Sequence, residues 1–428
     1  MSIEKIYSLY LSSTGVCTDT RKIESGQLFF ALKGPNFNGN NYAAQALASG
    51  AAYVIVDEAN FAINDKYILV HNVLETLQSL ATHHRRALNI PVIGVAGSNG
   101  KTTTKELLYA VLSKKFSVFA TKGNLNNHIG VPLSLLSVNK SVEIAVLELG
   151  ANHVGELELL CKIAEPSHGL VTNNGLDHLE GYGSFEGVVQ GNSELYYWLL
   201  KHNGTVFVNG NDEILMRMAS RFANPVIYGR KSDVVWSEIV ENNFFIKVKT
   251  HDNYSIQTRL VGEYNIDNIN SALCIAGHFK VSHDKACEAI AEYSPANNRS
   301  QLVEKGTNKI ILDCYNANPS SMKSSIESFA KIKTPYKALM LGDMFEMGNY
   351  SIAEHKKIVE LVAALAFEQA FFCGNDFYAH KHIAPKYHFF EKREQCEYFL
   401  KQHPIENTSI LIKGSRGMAM EKLVDVIS

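Results

Sequence analysis

A basic excess is missing from this sequence: 41 Lys and Arg face 43 Asp and Glu, for a formal net charge of -2. Nucleic-acid binders carry such an excess, so no nucleic-acid partner is expected. No Cys-x-x-Cys pair exists either. The seven cysteines (Cys17, Cys161, Cys274, Cys287, Cys314, Cys373 and Cys396) are scattered, which suits reduced thiols in a cytosol better than a disulfide frame or a zinc site. No stretch approaches the roughly 20 apolar residues that a membrane span needs. The opening MSIEKIYSLYLSSTG also lacks the long apolar run of a signal peptide, so a cytoplasmic protein is expected. Low-complexity segments and short internal repeats are absent as well. What remains is an ordinary globular composition, 46% hydrophobic and 20% charged, over 428 residues. That length is too great for a single core.

Residues 1–82 carry short apolar runs, Gln27–Leu32 and Ala52–Val56, separated by a polar Gly/Asn-rich stretch, Lys33–Asn41. This reads as a small α/β module. From Pro91 the pattern changes to a buried strand, a glycine loop and a helix over about Lys101–Lys115. Leu107, Leu108, Val111 and Leu112 form one stripe of that helix. Apolar runs at Ile144–Leu147, Gly169–Val171 and Thr205–Val208 alternate with helical segments, which argues for a parallel sheet covered on both faces. The stretch Val235–Val261 reads as antiparallel strands with a turn at Glu241-Asn242-Asn243, and a linker is expected at Ser294–Asn298. The last third repeats the βα rhythm with strands at Ile310–Leu312, Ala338–Leu341, Ala370–Cys373 and Ser409–Ile412. Each ends in polar or glycine residues, and ligands in open parallel sheets sit beyond such carboxyl ends.

One segment carries specific chemistry. Gly97-Ser98-Asn99-Gly100-Lys101-Thr102, between strand and helix, is a phosphate-binding arrangement: backbone N–H groups and the helix N-terminus face the anion, lysine reaches the β/γ-phosphates, and the hydroxyl binds magnesium. The strict G-x-x-x-x-G-K-[ST] spacing fails, because Val95 stands at the first glycine position. Glu148 ends a strand beside this loop, where a carboxylate suits a hard cation; a solvated strand end is the plainer alternative. His178 lies in a polar loop after another strand, and pattern alone leaves it open between a structural and a catalytic role.

These residues sit in a longer series of motifs: TDTRKIESGQLFFALKG (18–34), GSNGKTTTKE (97–106), TKGNLNNHIGVP (121–132), ELGAN (148–152), DHLEGYGSFEGV (177–188), GEYNIDNINSA (262–272), NRSQ (298–301), DCYNANPSSM (313–322), LGDMFEMG (341–348) and KGSRGMAME (413–421). Over essentially the whole chain the series resembles the Mur ligases of peptidoglycan synthesis. The DCYNANP and KGSRGM blocks point to the branch that adds a dipeptide. The resemblance implies an α/β fold of three domains: a small N-terminal α/β domain for the uridine nucleotide (1–82), a central P-loop ATPase domain with a mostly parallel sheet (83–296), and a C-terminal Rossmann-like domain (297–428).

It also implies an ATP-dependent amide ligase that joins D-alanyl-D-alanine to a UDP-N-acetylmuramoyl tripeptide, with ATP and Mg2+ as cofactors and a monomeric state. By position, Gly97 to Thr103 would hold ATP, Lys101 would serve catalysis, and Asn268, Arg299 and Asp313 would reach the nucleotide. Thr102 and Glu148 would bind magnesium, and His178 would serve a second ion. Thr18, Asp19, Arg21, Lys33 and Gly34 would lie on the uridine-nucleotide side, with Asn124, Asn126 and Asn127 near the muramoyl substrate. Asn316, Asn318, Lys413, Ser415 and Arg416 would meet the dipeptide. One departure stands out: the family carries a carbamylated lysine where this chain has Asn192, which brings no charge to the catalytic second-metal site. Rival readings are a P-loop kinase or NTPase, a ligase of the same family with another amino acid, and a non-catalytic relative weakened at Asn192.

Overall fold

The computed structural model describes residues 1–296 and 298–427. Of the expected linker Ser294–Asn298, Asn297 lies outside the described residues, as does Ser428.

The N-terminal unit is a parallel four-stranded sheet in the order Val16–Cys17, Leu28–Phe30, Tyr53–Val56, Tyr67–Leu69. Beside it stands a two-stranded antiparallel pairing of Lys33–Gly34 with Phe37–Asn38. Helix Val73–Leu88 follows, started by Asn72, whose side chain accepts from the Glu75 N–H at 3.1 Å, and stopped by Asn89 in the left-handed region at φ 49°. Its buried face, Val73, Leu77, Leu80 and Ala81, joins one hydrophobic cluster with Ile6 and Leu28 on one side and Val131, Leu157 and Leu160 on the other. Thr82 and Arg85 of the same helix bond the carbonyls of Ile163, Ala164 and Glu165. The division expected at residue 82 therefore falls inside a helix that packs against both neighbours.

The central sheet is six-stranded and wholly parallel, ordered Val226–Tyr228, Thr205–Asn209, His168–Val171, Val92–Ala96, Ile144–Glu148, Val118–Ala120. Val92–Ala96 and Ile144–Glu148 are buried at every residue, as continuous apolar runs in a doubly covered sheet should be. Register pairs Val95 with Glu148 and Ala96 with Val171, so the residues after these three strands share one edge. Helix Lys101–Ser113 packs on the sheet through Leu107, Leu108, Val111 and Leu112. The antiparallel segment comprises Ser237–Asn242, Ile246–Thr250 and Ser255–Gln257. A register shift between Ile239 and Glu241 carries the first strand to Asn242, which moves the turn to Asn243–Phe245 rather than 241–243.

The C-terminal sheet is ordered Gln301–Lys305, Asn308–Asp313, Ser409–Lys413, Lys337–Gly342, Gln369–Cys373, His388–Phe390, with the first strand antiparallel and the rest parallel. The four strands legible in the sequence are the four inner ones. Both flanking strands are partly exposed and lack a continuous apolar run. One cluster crosses between domains: Leu179, Tyr182, Val188 and Val261 pack with Ala317, Met322, Met344 and Met347. Among the described residues no helix is long and apolar enough to cross a membrane.

Candidate active site

The loop after Val92–Ala96 turns through two glycines with positive φ, Gly97 at 120° and Gly100 at 82°. A Cβ at Gly97 would lie 2.3 Å from Thr172 Oγ1, and one at Gly100 2.8 Å from Asn268 Oδ1. Glycine is required at both for conformation and for space. Val95 stays inside the strand, fully buried, so the loop starts two residues later than the strict motif would place it. Lys101 Nζ donates to the carbonyl of Gly97 and to that of Ser98 at 3.1 Å, which folds the ammonium over its own loop. Thr103 follows in the first turn of the helix.

Thr102 Oγ1 donates to Glu148 Oε2 at 2.8 Å, and Asn126 Nδ2 donates to Glu148 Oε1 at 2.9 Å. Thr121 Oγ1 accepts from the Glu148 N–H at 3.0 Å. The carboxylate is 2% exposed and its direction is set from both sides. A hydroxyl beside a held carboxylate is an oxygen set that fits magnesium, with phosphate oxygens and water completing the shell. Among the described residues no group of three or more His, Cys, Asp or Glu is arranged to hold a metal ion by itself, so an ion here would draw on those outside ligands.

The loop after His168–Val171 backs the phosphate loop. Ser98 Oγ pairs with Asp177 Oδ1 and accepts from the Gly175 N–H at 2.9 Å, while Asn173 Oδ1 accepts from the Asn99 N–H at 3.1 Å. His178 stands at the end of this loop, and its Nδ1 meets Glu346 Oε2 of the C-terminal domain. The ring holds the Glu346 carboxyl below its ordinary value, chiefly by that hydrogen bond. Asn192 is buried on helix Phe185–Lys201 and donates through Nδ2 to Asn174 Oδ1 at 2.9 Å. Neighbouring Glu194 turns away and caps helix Glu156–Ala164, accepting from the N–H groups of Gly155 and Glu158. Burial raises its carboxyl above the ordinary value. The Glu194 carboxylate is thus committed to a helix start, and Asp177 Oδ1 accepts from Ser98, while Asn192 itself brings only an amide dipole.

Asn192→Lys, assayed with bicarbonate, is therefore expected to lower the magnesium concentration for half-maximal rate several-fold, because a charged oxygen holds a hard cation better than an amide. Titration of rate against magnesium for Asn192→Lys and a control Asn192→Gln checks this. An unchanged midpoint in Asn192→Lys contradicts it.

The C-terminal domain meets the loop directly. Asn318, capping helix Pro319–Lys331 through Ser321, donates Nδ2 to Asn99 Oδ1 at 2.9 Å, and Ser320 Oγ accepts from the Leu176 N–H at 2.9 Å. Asn268 lies under the loop, accepting from Thr104 Oγ1 at 3.0 Å and donating to Asn265. The Arg299 guanidinium stacks 3.5 Å from the Tyr315 ring centroid, and its buried Nε has no protein partner among the described residues. Asp313 is taken up locally: Lys413 Nζ donates to Oδ2 at 2.6 Å, Ser325 Oγ at 2.9 Å, and the Ser300 N–H to Oδ1 at 3.2 Å. Lys413 and Ser415 are buried, and Ser415 Oγ accepts from the Phe345 N–H at 2.8 Å. Asn316 and Arg416 are exposed, with Arg416 paired to Glu421.

Other expected residues lie elsewhere or serve the backbone. Asp19 and Arg21 pair at 2.7 Å beside half-buried Thr18, and Lys33, next to Gly34, bridges Asp57 and Glu58 at 2.9 Å each. All five are on the N-terminal sheet unit. Asn127 Oδ1 caps helix Gly130–Leu135 through the N–H groups of Ile129 and Gly130, and Asn124 is exposed. Glu346, Asn174, Ser320 and Tyr315 escape sequence reasoning, although all but Asn174 lie within the quoted motif blocks.

A phosphate loop on a parallel sheet, met by a second α/β sheet domain, defines a multidomain phosphate-loop enzyme. The chain belongs to the Mur ligase family. Its residues 12–93 match the family's catalytic domain model, 95–276 the middle domain, and 298–416 the glutamate ligase domain. It is similar to the UDP-N-acetylmuramoyl-tripeptide--D-alanyl-D-alanine ligase of Bacillus subtilis, 33% identical over 96% of this chain and 92% of the relative. The enzyme of that name from Escherichia coli is 31% identical over 96% and 92%. Among solved structures, MurF from Acinetobacter baumannii superposes with a TM-score of 0.88 at 29% identity, covering 97% of each chain. MurF from Thermotoga maritima in complex with ADP gives 0.86 at 27% identity, again over 97% of each.

Proposed function

We propose that this chain is the ATP-dependent ligase that joins D-alanyl-D-alanine to a UDP-N-acetylmuramoyl tripeptide in peptidoglycan precursor synthesis. The observation that carries the reading is the Thr102–Glu148 pair beside Lys101, at a sheet edge that the loops of the C-terminal domain face. The kinship with relatives of that name over 96% of the chain supports the substrate pair.

Amide formation from a free carboxylate needs a better leaving group than hydroxide. The tripeptide carboxylate attacks the γ-phosphate of ATP, giving an acyl phosphate and ADP; the dipeptide amine then attacks the acyl carbon and inorganic phosphate leaves. Lys101 and the N–H groups of the loop hold the phosphates and neutralise charge growing on the transferred group. Thr102 and Glu148 would hold magnesium, which when bound offsets phosphate charge. Asn126 keeps the Glu148 carboxylate aimed. Asn99 and Asn318 join the ATP domain to the loop that precedes helix Pro319–Lys331, where the dipeptide is read. The seven cysteines are free and buried, which supports a reducing, cytoplasmic setting.

An amine panel tests the choice of acceptor. Turnover with D-alanyl-D-alanine is expected to exceed that with D-alanine, L-alanine, D-glutamate or diaminopimelate by at least about a hundredfold, since a site built to pair polar groups rejects substrates that leave them unpaired. Equal or better turnover with any single amino acid assigns the chain to another branch of the family.

A further inference from the structure

We propose that Glu346 is a positioning residue that sets the proton arrangement of His178, so that the ring is ready only when the C-terminal domain is docked. The inference deepens the reading above and rests on it for the reaction concerned.

The contact joins His178 Nδ1 to Glu346 Oε2 across 168 residues and two domains. An ionised carboxylate only accepts, so the nitrogen facing it carries the proton. In the neutral ring Nε2 is then left with its lone pair, the state that can hold a cation or take a proton. Without an acceptor beside Nδ1 the ring would be free to choose its other tautomer.

Both residues of this contact have a left-handed backbone. His178 has φ 47° and Glu346 φ 61°, left-handed conformations that side chains other than glycine rarely adopt. Glu346 is held a second time, its carbonyl accepting from the Glu180 N–H at 3.1 Å. A turn further on, Gly348 has φ 50°, and a Cβ there would lie 3.4 Å from Glu180 Cα. Tyr350 then donates its hydroxyl to the Gly183 carbonyl at 3.1 Å. The segment 346–350 of one domain thus lies along 178–183 of the other, with the carboxylate at the histidine end. His178 is 20% exposed in this arrangement and Glu346 55%.

Glu346→Ala and Glu346→Gln separate positioning from mere contact. Glu346→Ala is expected to lower kcat about 10- to 100-fold, the usual effect of removing a carboxylate that orients a histidine. The KM values for ATP and the uridine nucleotide should change less than about threefold if the loss lies in the reacting state. Glu346→Gln, whose amide oxygen still accepts from Nδ1–H, should recover most of the rate.

Nitrogen-15 NMR of histidine-labelled protein reads the ring itself, with the His178 signal assigned by its disappearance in His178→Gln. The neutral ring should be the Nδ1–H tautomer in the wild type and in Glu346→Gln, and shift toward Nε2–H in Glu346→Ala. An Nε2–H ring in the wild type, unchanged kcat in Glu346→Ala, or no recovery in Glu346→Gln would overturn the proposal. The NMR result does not depend on the reaction, so a chain inactive toward the proposed substrates with an Nδ1–H ring refutes the function and leaves the positioning intact.

Discussion

Lys101→Ala is expected to abolish ATP-dependent ligation in a protein that remains folded. The ammonium lies over the loop carbonyls of Gly97 and Ser98 and carries the only mobile positive charge in the phosphate loop. Those carbonyls are weak partners compared with a triphosphate, so nucleotide should draw the amine away. Removing one such donor from a transferring phosphoryl group costs about 3 kcal/mol or more, a loss of at least about a hundredfold in kcat/KM. Alanine is a better helix former than lysine at the first helical position, and the side chain bonds only its own loop, so the fold should survive. Circular dichroism and thermal unfolding establish folding while kcat/KM is compared with the wild type. Unchanged turnover in the folded variant removes the phosphate-loop assignment.

Lys413→Met should have the largest effect on stability. Its amine is 2% exposed and ends on Asp313, itself 16% exposed. Burial alone would raise the Asp313 carboxyl, but the Lys413 charge and hydrogen bonds from Lys413, Ser325 and Ser300 hold it below the ordinary value. Methionine fills the space yet leaves a buried carboxylate with hydroxyl and amide partners only. Breaking such a pair costs about 3–5 kcal/mol, whereas Asp313→Leu combined with Lys413→Met should recover much of the loss.

The pH dependence has a definite sign. A carboxyl depressed in the folded state stabilises the fold above its unfolded value near 3.9 and loses that contribution as pH falls through the folded value. The gap between wild type and Lys413→Met should therefore be full at neutral pH and shrink in acid. Urea midpoints of both proteins across that range measure it. A neutral-pH difference below about 1 kcal/mol contradicts the buried pair.

The phosphate loop is legible in the sequence because its geometry is local: Gly97 and Gly100 are needed for backbone reasons, and the buried strand and amphipathic helix on either side are both periodic. Glu148 is legible because a charged residue ending a fully buried strand is unusual. What escapes is set by contacts distant in sequence. Glu346 meets His178 only through docking of two domains, and Glu194 meets Gly155 and Glu158 only because two helices pack. The Asp313–Lys413 pair spans 100 residues, so each residue alone reads as a strand-end group available to ligand. A boundary near residue 82 is hard to read because helix Val73–Leu88 carries one apolar stripe packed in a cluster shared with the central domain, and a stripe does not say how many partners it has.

The decisive measurement is ADP and phosphate release from ATP with magnesium and UDP-N-acetylmuramoyl tripeptide, with and without D-alanyl-D-alanine, and with mass analysis of the product. An acyl-phosphate ligase should release phosphate in proportion to a UDP-N-acetylmuramoyl pentapeptide, and release should nearly cease when the dipeptide is left out. Phosphate release independent of the dipeptide, or a phosphorylated acceptor in place of the amide, would contradict it.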